Sequence, residues 1–288
     1  MSDTPPRLFD RPLLRRRIAR ALARGVPDFL MARAAEDLTF RLLATQRDFP
    51  RSLDLGTPTP HFSAAVVAAG RPAPLRAAPV FAPEGGTFRI VADEEALPFA
   101  AESTDLVVSG LALHWVNDLP GVFAQVRRIL APDGLFLGCM IGGQSLVELR
   151  SALLEAESEL TGGASRRVSP FVDLRDVGGL LQRAGFALPV ADADSFTLRY
   201  DSMLALLADL RALGAANALF ARRTLPRGAF ARAAQIYAEK FSDPDGRVRA
   251  SIEIVWFSGW APHESQQKPL KPGSAQMRLE DALNAQRK

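Results

Sequence analysis

The chain has 288 residues, 48% hydrophobic and 23% charged, a balance that supports one large domain, or one domain with an appended part, and excludes a disordered chain. No run of about 18 consecutive apolar residues occurs, the most apolar stretches being Leu135 to Gly143 and Met203 to Leu207, so no membrane-spanning helix is expected. A formal net charge of +3 does not by itself imply nucleic acid, and the single cysteine, Cys139, excludes an intramolecular disulfide or a cysteine metal cluster and fits a reducing compartment.

Residues 11-24 contain many arginines and no acid. Leu14, Ile18 and Leu22 recur every four residues with Arg15, Arg16, Arg20 and Arg24 flanking them, which makes an amphipathic helix with a basic face. Docking on the core is favoured for it, over contact with an anionic lipid surface or an acidic partner. A second helix is predicted from Asp28 to Thr45, closed by Phe49-Pro50. Residues 52-56 read as a short buried strand ending in glycine, and His61 to Ala69 as the helix after it. Further strands are predicted at Thr87 to Val91, Asp105 to Ser109 and Leu135 to Ile141. A helix from Leu119 to Leu130, ended by the turn Pro132-Asp133-Gly134, lies between the last two.

Beyond Gly143 the pattern turns to longer helices, Gln144 to Leu160, Leu174 to Ala184, Ser202 to Leu213 and Gly228 to Phe241. Two strands interleave, Ser195 to Tyr200 and Ser251 to Trp260, the latter with Ile252, Ile254 and Trp256 on one face and Val255 and Phe257 on the other. Alternating strands and helices imply an α/β fold around a mostly parallel, doubly wound sheet, with these two strands as an antiparallel edge. The expected division is an N-terminal helical segment, 1-48, a domain at 49-262 with a helical insertion at about 201-245, and a polar tail at 263-288. A weak helical stretch is expected within the tail near Leu279 to Leu283.

In an open α/β sheet, ligands bind beyond the carboxyl ends of the strands. The residues just after the strands are therefore the candidates: Asp54 and Gly56, then Asp93 and Glu94, then Ser109 running on to His114, Trp115 and Asp118, then Gly142-Gly143. The three histidines, His61, His114 and His263, are too scattered for a metal triad, and no metal site is expected. Asp54 has an alternative role as a hydrogen-bond acceptor for the loop backbone. Trp115 also reads as a core aromatic, and Arg166-Arg167 and Lys268 to Lys271 as solvated charges.

In order, LDLG at 53-56, ADEEALPF at 92-99, DLVVSGLALHWVNDLP at 105-120 and PDGLFLG at 132-138 resemble the motif series of class I, Rossmann-like methyltransferases. The opening LFDRPLLRRR, RVSPF at 167-171, DLRALGAANA at 209-218 and GWAPHESQQKPLKPGSA at 259-275 are similar to the methyltransferase-like assembly factors of respiratory complex I, over about residues 8 to 276. This resemblance implies S-adenosylmethionine as cofactor, held by Asp54, Gly56, Asp93, Glu94, Ser109, His114 and Trp115; the resemblance names no base, and His114 and Asp118 are the candidates beside that site. It also implies a protein partner in the quinone module of complex I, where modification of an arginine is the implied activity. A bacterial cytoplasmic protein is expected, with peripheral inner-membrane contact through the basic helix as an extension of that reading.

Two features depart from the family pattern. Pro58 and Pro60 stand where glycines are expected in the first loop, and proline adds a ring and removes an N–H at each position. Arg71 to Pro83 contains no carboxylate to hold ribose hydroxyls; the first available is Glu84, in a Pro83-Glu84-Gly85-Gly86 turn. Both favour reduced or lost cofactor binding and leave three functions open: a protein-modifying enzyme, a non-catalytic assembly chaperone, and a small-molecule or carrier-protein methyltransferase.

Overall fold

The computed structural model describes residues 7-83 and 88-267. Glu84, Thr87, Lys268 to Lys271 and the Leu279 to Leu283 stretch lie outside them. Seven strands form one sheet: β1 Ser52–Leu55, β2 Leu75–Ala78, β3 Arg89–Val91, β4 Thr104–Gly110, β5 Leu130–Ile141, β6 Ala187–Tyr200 and β7 Val248–Trp260, in the order β3-β2-β1-β4-β5-β7-β6. Strands β1 to β5 pair in parallel, while β7 runs antiparallel between β5 and β6, so the expected antiparallel edge is present.

Eight helices complete the order among the described residues: α1 Arg11–Ala23, α2 Phe29–Leu43, α3 His61–Ala68, α4 Leu119–Ile129, α5 Val147–Thr161, α6 Leu174–Arg183, α7 Met203–Ala212 and α8 Arg227–Phe241. Strand alternation divides the interior into two layers. Leu106, Val108, Ile252, Ile254 and Trp256 face a core that also takes Leu38 and Leu42 of α2, Phe62 of α3 and Ile236 of α8. Val107, Phe136, Val255 and Phe257 face the opposite core with Phe123 of α4 and Leu181 of α6. The two faces read in residues 252-257 are therefore the two faces observed.

The structure corrects the sequence reading in four places. Strand β2 was not expected, because Leu-Arg-Ala-Ala offers neither alternation nor a β-branched residue; its neighbours β1 and β3 supply the pairing that intrinsic propensity does not. Strand β6 begins at Ala187, not Ser195: in this edge strand Leu188 and Val190 point outward with Pro189 between them and Asp192 and Asp194 follow, so its first half carries no inward apolar alternation. Pro132-Asp133-Gly134 is not a free turn but an interruption within β5, which pairs with β4 at Leu130, slips, and resumes at Leu135. Arg167 is not a solvated charge: its side chain is 9% exposed and pairs with Glu157 at 2.5 Å.

Candidate functional site

From β1 the chain proceeds outward through β2 and β3, then returns to place β4 on the other side of β1. This creates a topological switch point above β1 and β4, where ligands of such sheets bind. A cavity of about 160 Å³ lies there. Its floor is made by Gly56, Pro58, Ala112, His114 and Trp115, and α1 forms its roof with Arg11, Leu14, Arg15 and Ile18. Gly56 has φ +78°, and a Cβ there would stand 2.9 Å from the Cβ of Ala112 and 3.3 Å from Cγ of Glu94. The position therefore requires glycine on conformational and steric grounds together.

Asp54 and Ser109, both expected at the cofactor, are fully buried beneath this floor and do not line the cavity. Ser63 Oγ donates to Asp54 Oδ2 at 2.8 Å, and Arg76 Nε lies 3.7 Å from the same oxygen. Burial pushes the Asp54 carboxyl up to about 6, against the opposing pull of Thr57, Ser63 and Arg76. Its observed role is to hold the loop after β1 from below.

Asp93 and Glu94 are at the rim, and each is already engaged. Arg11, 10% exposed in its side chain, reaches Asp93 at 2.5 Å and Glu95 at 2.7 Å and also pairs with Glu94; Arg15 binds Asp93 at 2.5 Å. Burial raises the Asp93 carboxyl, but the Glu95 N–H and the two arginines outweigh it and hold it below its ordinary value. For Glu94 burial wins over Arg11, and its carboxyl is raised. The Glu95 carboxylate also accepts from the backbone N–H groups of Asn117 and Asp118, which ties the acidic loop to the loop before α4.

His114 and Trp115 lie in a single 3-10 turn, Leu113–Trp115, on the cavity wall. Trp115 packs edge-on against Phe9 with ring centroids 5.4 Å apart, and His114 against Phe171 at 6.0 Å. Burial pulls the His114 imidazole down to about 3, so it is neutral near pH 7 and a weak proton acceptor. Asp118 is the N-cap of α4, its Oδ1 accepting from Gly121 N at 2.8 Å, and is committed to that helix end.

Of the two loop prolines only Pro58 lines the cavity; Pro60 is exposed at the N-cap of α3. The end of β2, where a ribose-binding carboxylate was sought, is followed by Pro79 and Val80, both cavity-lining. Sequence reasoning missed Arg11 and Arg15 as site residues. Their signal was the basic helix itself, whose docked position could not be told from its composition. Among the described residues no group of three or more His, Cys, Asp or Glu is placed to hold a metal ion.

A methyltransferase-domain family model matches residues 67-138. The rat protein named mitochondrial arginine-hydroxylase NDUFAF5 is 37% identical over 97% of this chain and 85% of its own length. The zebrafish protein of that name is 43% identical, and the match spans 67% of this chain but only 60% of the zebrafish protein. A malonyl-[acyl-carrier protein] O-methyltransferase of Xylella fastidiosa is 42% identical over 60% of this chain and 57% of its own. The crystal structure of the YcgJ protein from Bacillus subtilis superposes with a TM-score of 0.53 at 14% identity, covering 79% of this chain and 99% of that one, which shows a shared fold. A proposed methyltransferase of Bacillus halodurans, at TM-score 0.51 and 16% identity over 80% of this chain and 99% of its own, shares it too. The expected bacterial cytoplasmic location is overturned: the animal relatives that match most of the chain are mitochondrial proteins. No helix among the described residues is long and apolar enough to cross a membrane.

Proposed function

This chain belongs to the family of the arginine-hydroxylase NDUFAF5, whose rat and human members it matches over nearly its whole length, and on that premise we propose that it assists maturation of respiratory complex I by acting on an arginine of a quinone-module subunit. One geometric observation carries the reading furthest. Asp93, Glu94 and Glu95 converge on a single guanidinium at the rim of the switch-point crevice, so this rim suits an arginine side chain.

The fold also implies S-adenosylmethionine, and the residues fit it in part. Gly56 permits close approach to backbone, and Asp93 at the rim would offer an acceptor once freed from Arg11 and Arg15, so these residues would hold it with Ala112 beside them. When bound, S-adenosylmethionine supplies an electrophilic methyl group. The chain's own contribution is to orient and to exclude water: Leu14, Leu22, Val116 and Trp115 give the cavity an apolar wall, and His114 stays neutral within it. Against this fit stand Pro58, which lacks an N–H in the loop, and the Arg11–Glu94 pair across the cradle.

Those two features favour a second reading, a chaperone that keeps the fold and binds its client without chemistry. The carrier-protein methyltransferase reading is weaker, since that similarity covers 60% of this chain whereas the NDUFAF5 similarity covers 97%. On the outward side of α1, the exposed Arg16, Arg20 and Arg24 suit an acidic partner or an anionic lipid surface.

Mass spectrometry of complex I quinone-module subunits, from cells with and without this chain, separates the readings. The enzyme reading predicts an arginine peptide that is lighter when the chain is absent, by one CH2 if the chain transfers the methyl group of S-adenosylmethionine, or by one oxygen atom if it shares the hydroxylation named for its relatives, a reaction that needs molecular oxygen and a reductant. Loss of assembled complex I with no change in any arginine peptide favours the chaperone, and unchanged peptides with normal complex I contradict both.

A further inference from the structure

The crevice has a floor made by strand ends and a roof made by one helix, and the two are joined by ions. Glu94 Cγ and Oε1 lie 3.3 and 3.4 Å from where a Cβ on Gly56 would stand, so this side chain borders the backbone position that lets a ligand approach closely. Glu94 is in turn tied to Arg11, and Arg11 to Asp93 and Glu95, while Arg15 holds Asp93 from the next turn. We propose that α1 is a strap across the crevice, latched by Arg11 and Arg15 on the carboxylates of Asp93, Glu94 and Glu95, and that a ligand reaches Gly56 only when this latch opens.

The attachment of α1 suits a strap. Before it, Phe9 bridges Leu219, with Asp10 N donating to Ala218 O at 2.8 Å and Phe220 N to Leu8 O at 2.8 Å. After it, residues 24-28 form a largely exposed joint in which Gly25 takes φ +81° with nothing within 4 Å of its Cβ position. The helix is thus anchored just before its N-terminus and followed by an exposed joint. Leu14, Ala21 and Leu22 give its inner face an apolar seat, and Arg17 adds a bond to Ala216 O at 2.9 Å. The latch carries three carboxylates against two guanidinium groups. Withdrawing either arginine leaves partly buried negative charges facing one another, so an incoming cationic group gains what the departing arginine gave up.

The test is hydrogen exchange of α1 amides, joined to calorimetric titration with S-adenosylmethionine, on the unmodified protein and on Arg11→Gln/Arg15→Gln; the titration arm rests on the cofactor reading above. In the variant, α1 amides are expected to exchange at least about tenfold faster while those of β4 and α8 do not change. Saturating S-adenosylmethionine is expected to speed α1 exchange in the unmodified protein, and the variant to bind it at least about fivefold more tightly. Glu94→Gln, which keeps shape and removes one charge, is expected to loosen α1 in the same direction and serves if the double variant does not fold. Unchanged α1 exchange in the variants overturns the strap. So does slower α1 exchange on adding the ligand, since α1 is then a wall of the site. Faster exchange in the variants with no S-adenosylmethionine binding by any of the proteins leaves the latch standing and removes the cofactor.

Discussion

At Asp54 the chain buries a carboxyl completely, with Arg76 Nε 3.7 Å from its Oδ2, and this has a pH signature. The folded-state value is raised from 3.8 to about 6 by burial, so the folded protein holds the proton more tightly than the unfolded chain across that window. Stability from this group is therefore fully present below the unfolded value and is lost as pH rises toward about 6. Two pKa units correspond to at most roughly 3 kcal/mol. Urea unfolding of the unmodified protein and of Asp54→Asn, compared between about pH 4 and pH 7, should show the variant gaining relative stability as pH rises; parallel curves would mean that Asp54 is not perturbed by burial. The two loop prolines can be separated in the same spirit. Pro58 lines the crevice and Pro60 does not, so Pro58→Gly is expected to tighten S-adenosylmethionine binding about tenfold, through a restored N–H and relief of the ring, while Pro60→Gly changes it less than about twofold. Calorimetry that finds the opposite order would relocate the obstruction. The sequence marked both prolines equally, because spacing places them in one loop but does not say which side chain turns inward.

The helices were the most legible elements and their ends the most informative. All eight were expected within a few residues, since Ala34, Leu38 and Leu42, or Leu149, Ala152, Leu153 and Ala156, mark a buried stripe at helical spacing without ambiguity. Strand β2 was illegible because four residues with an arginine among two alanines carry no strand pattern, and only the neighbours in the sheet make it one. The docked position of α1 was legible as the favoured alternative but its targets were not: Arg11 and Asp93 are 82 residues apart, a distance that no periodicity bridges. Asp118 shows how one residue type serves two readings. Its place after a strand marked it as a candidate base, whereas its bond to Gly121 N makes it the start of α4. Asp118→Ala is accordingly expected to lower stability by about 1 kcal/mol in chemical denaturation, the cost of losing a helix cap. A loss near zero would free this carboxylate for another role.

For the whole molecule, the parallel sheet with its antiparallel edge brings Gly56, Glu94, His114 and Trp115 together above β1 and β4, as the strand order requires, while Asp54 and Ser109 lie beneath them. That much followed from the alternation of strands and helices alone. The rest of the site depends on where the N-terminal helix lands, and it lands on the crevice with its arginines on the acidic loop. The chain thus sets a docked N-terminal helix over the crevice of a methyltransferase-like fold. The most direct measurement is the amount of assembled complex I, by native gel and in-gel activity, in cells of the source organism lacking this chain and in the same cells with it restored. Loss of the complex and its recovery on restoration is the predicted result; normal complex I in the absence of the chain would contradict the account.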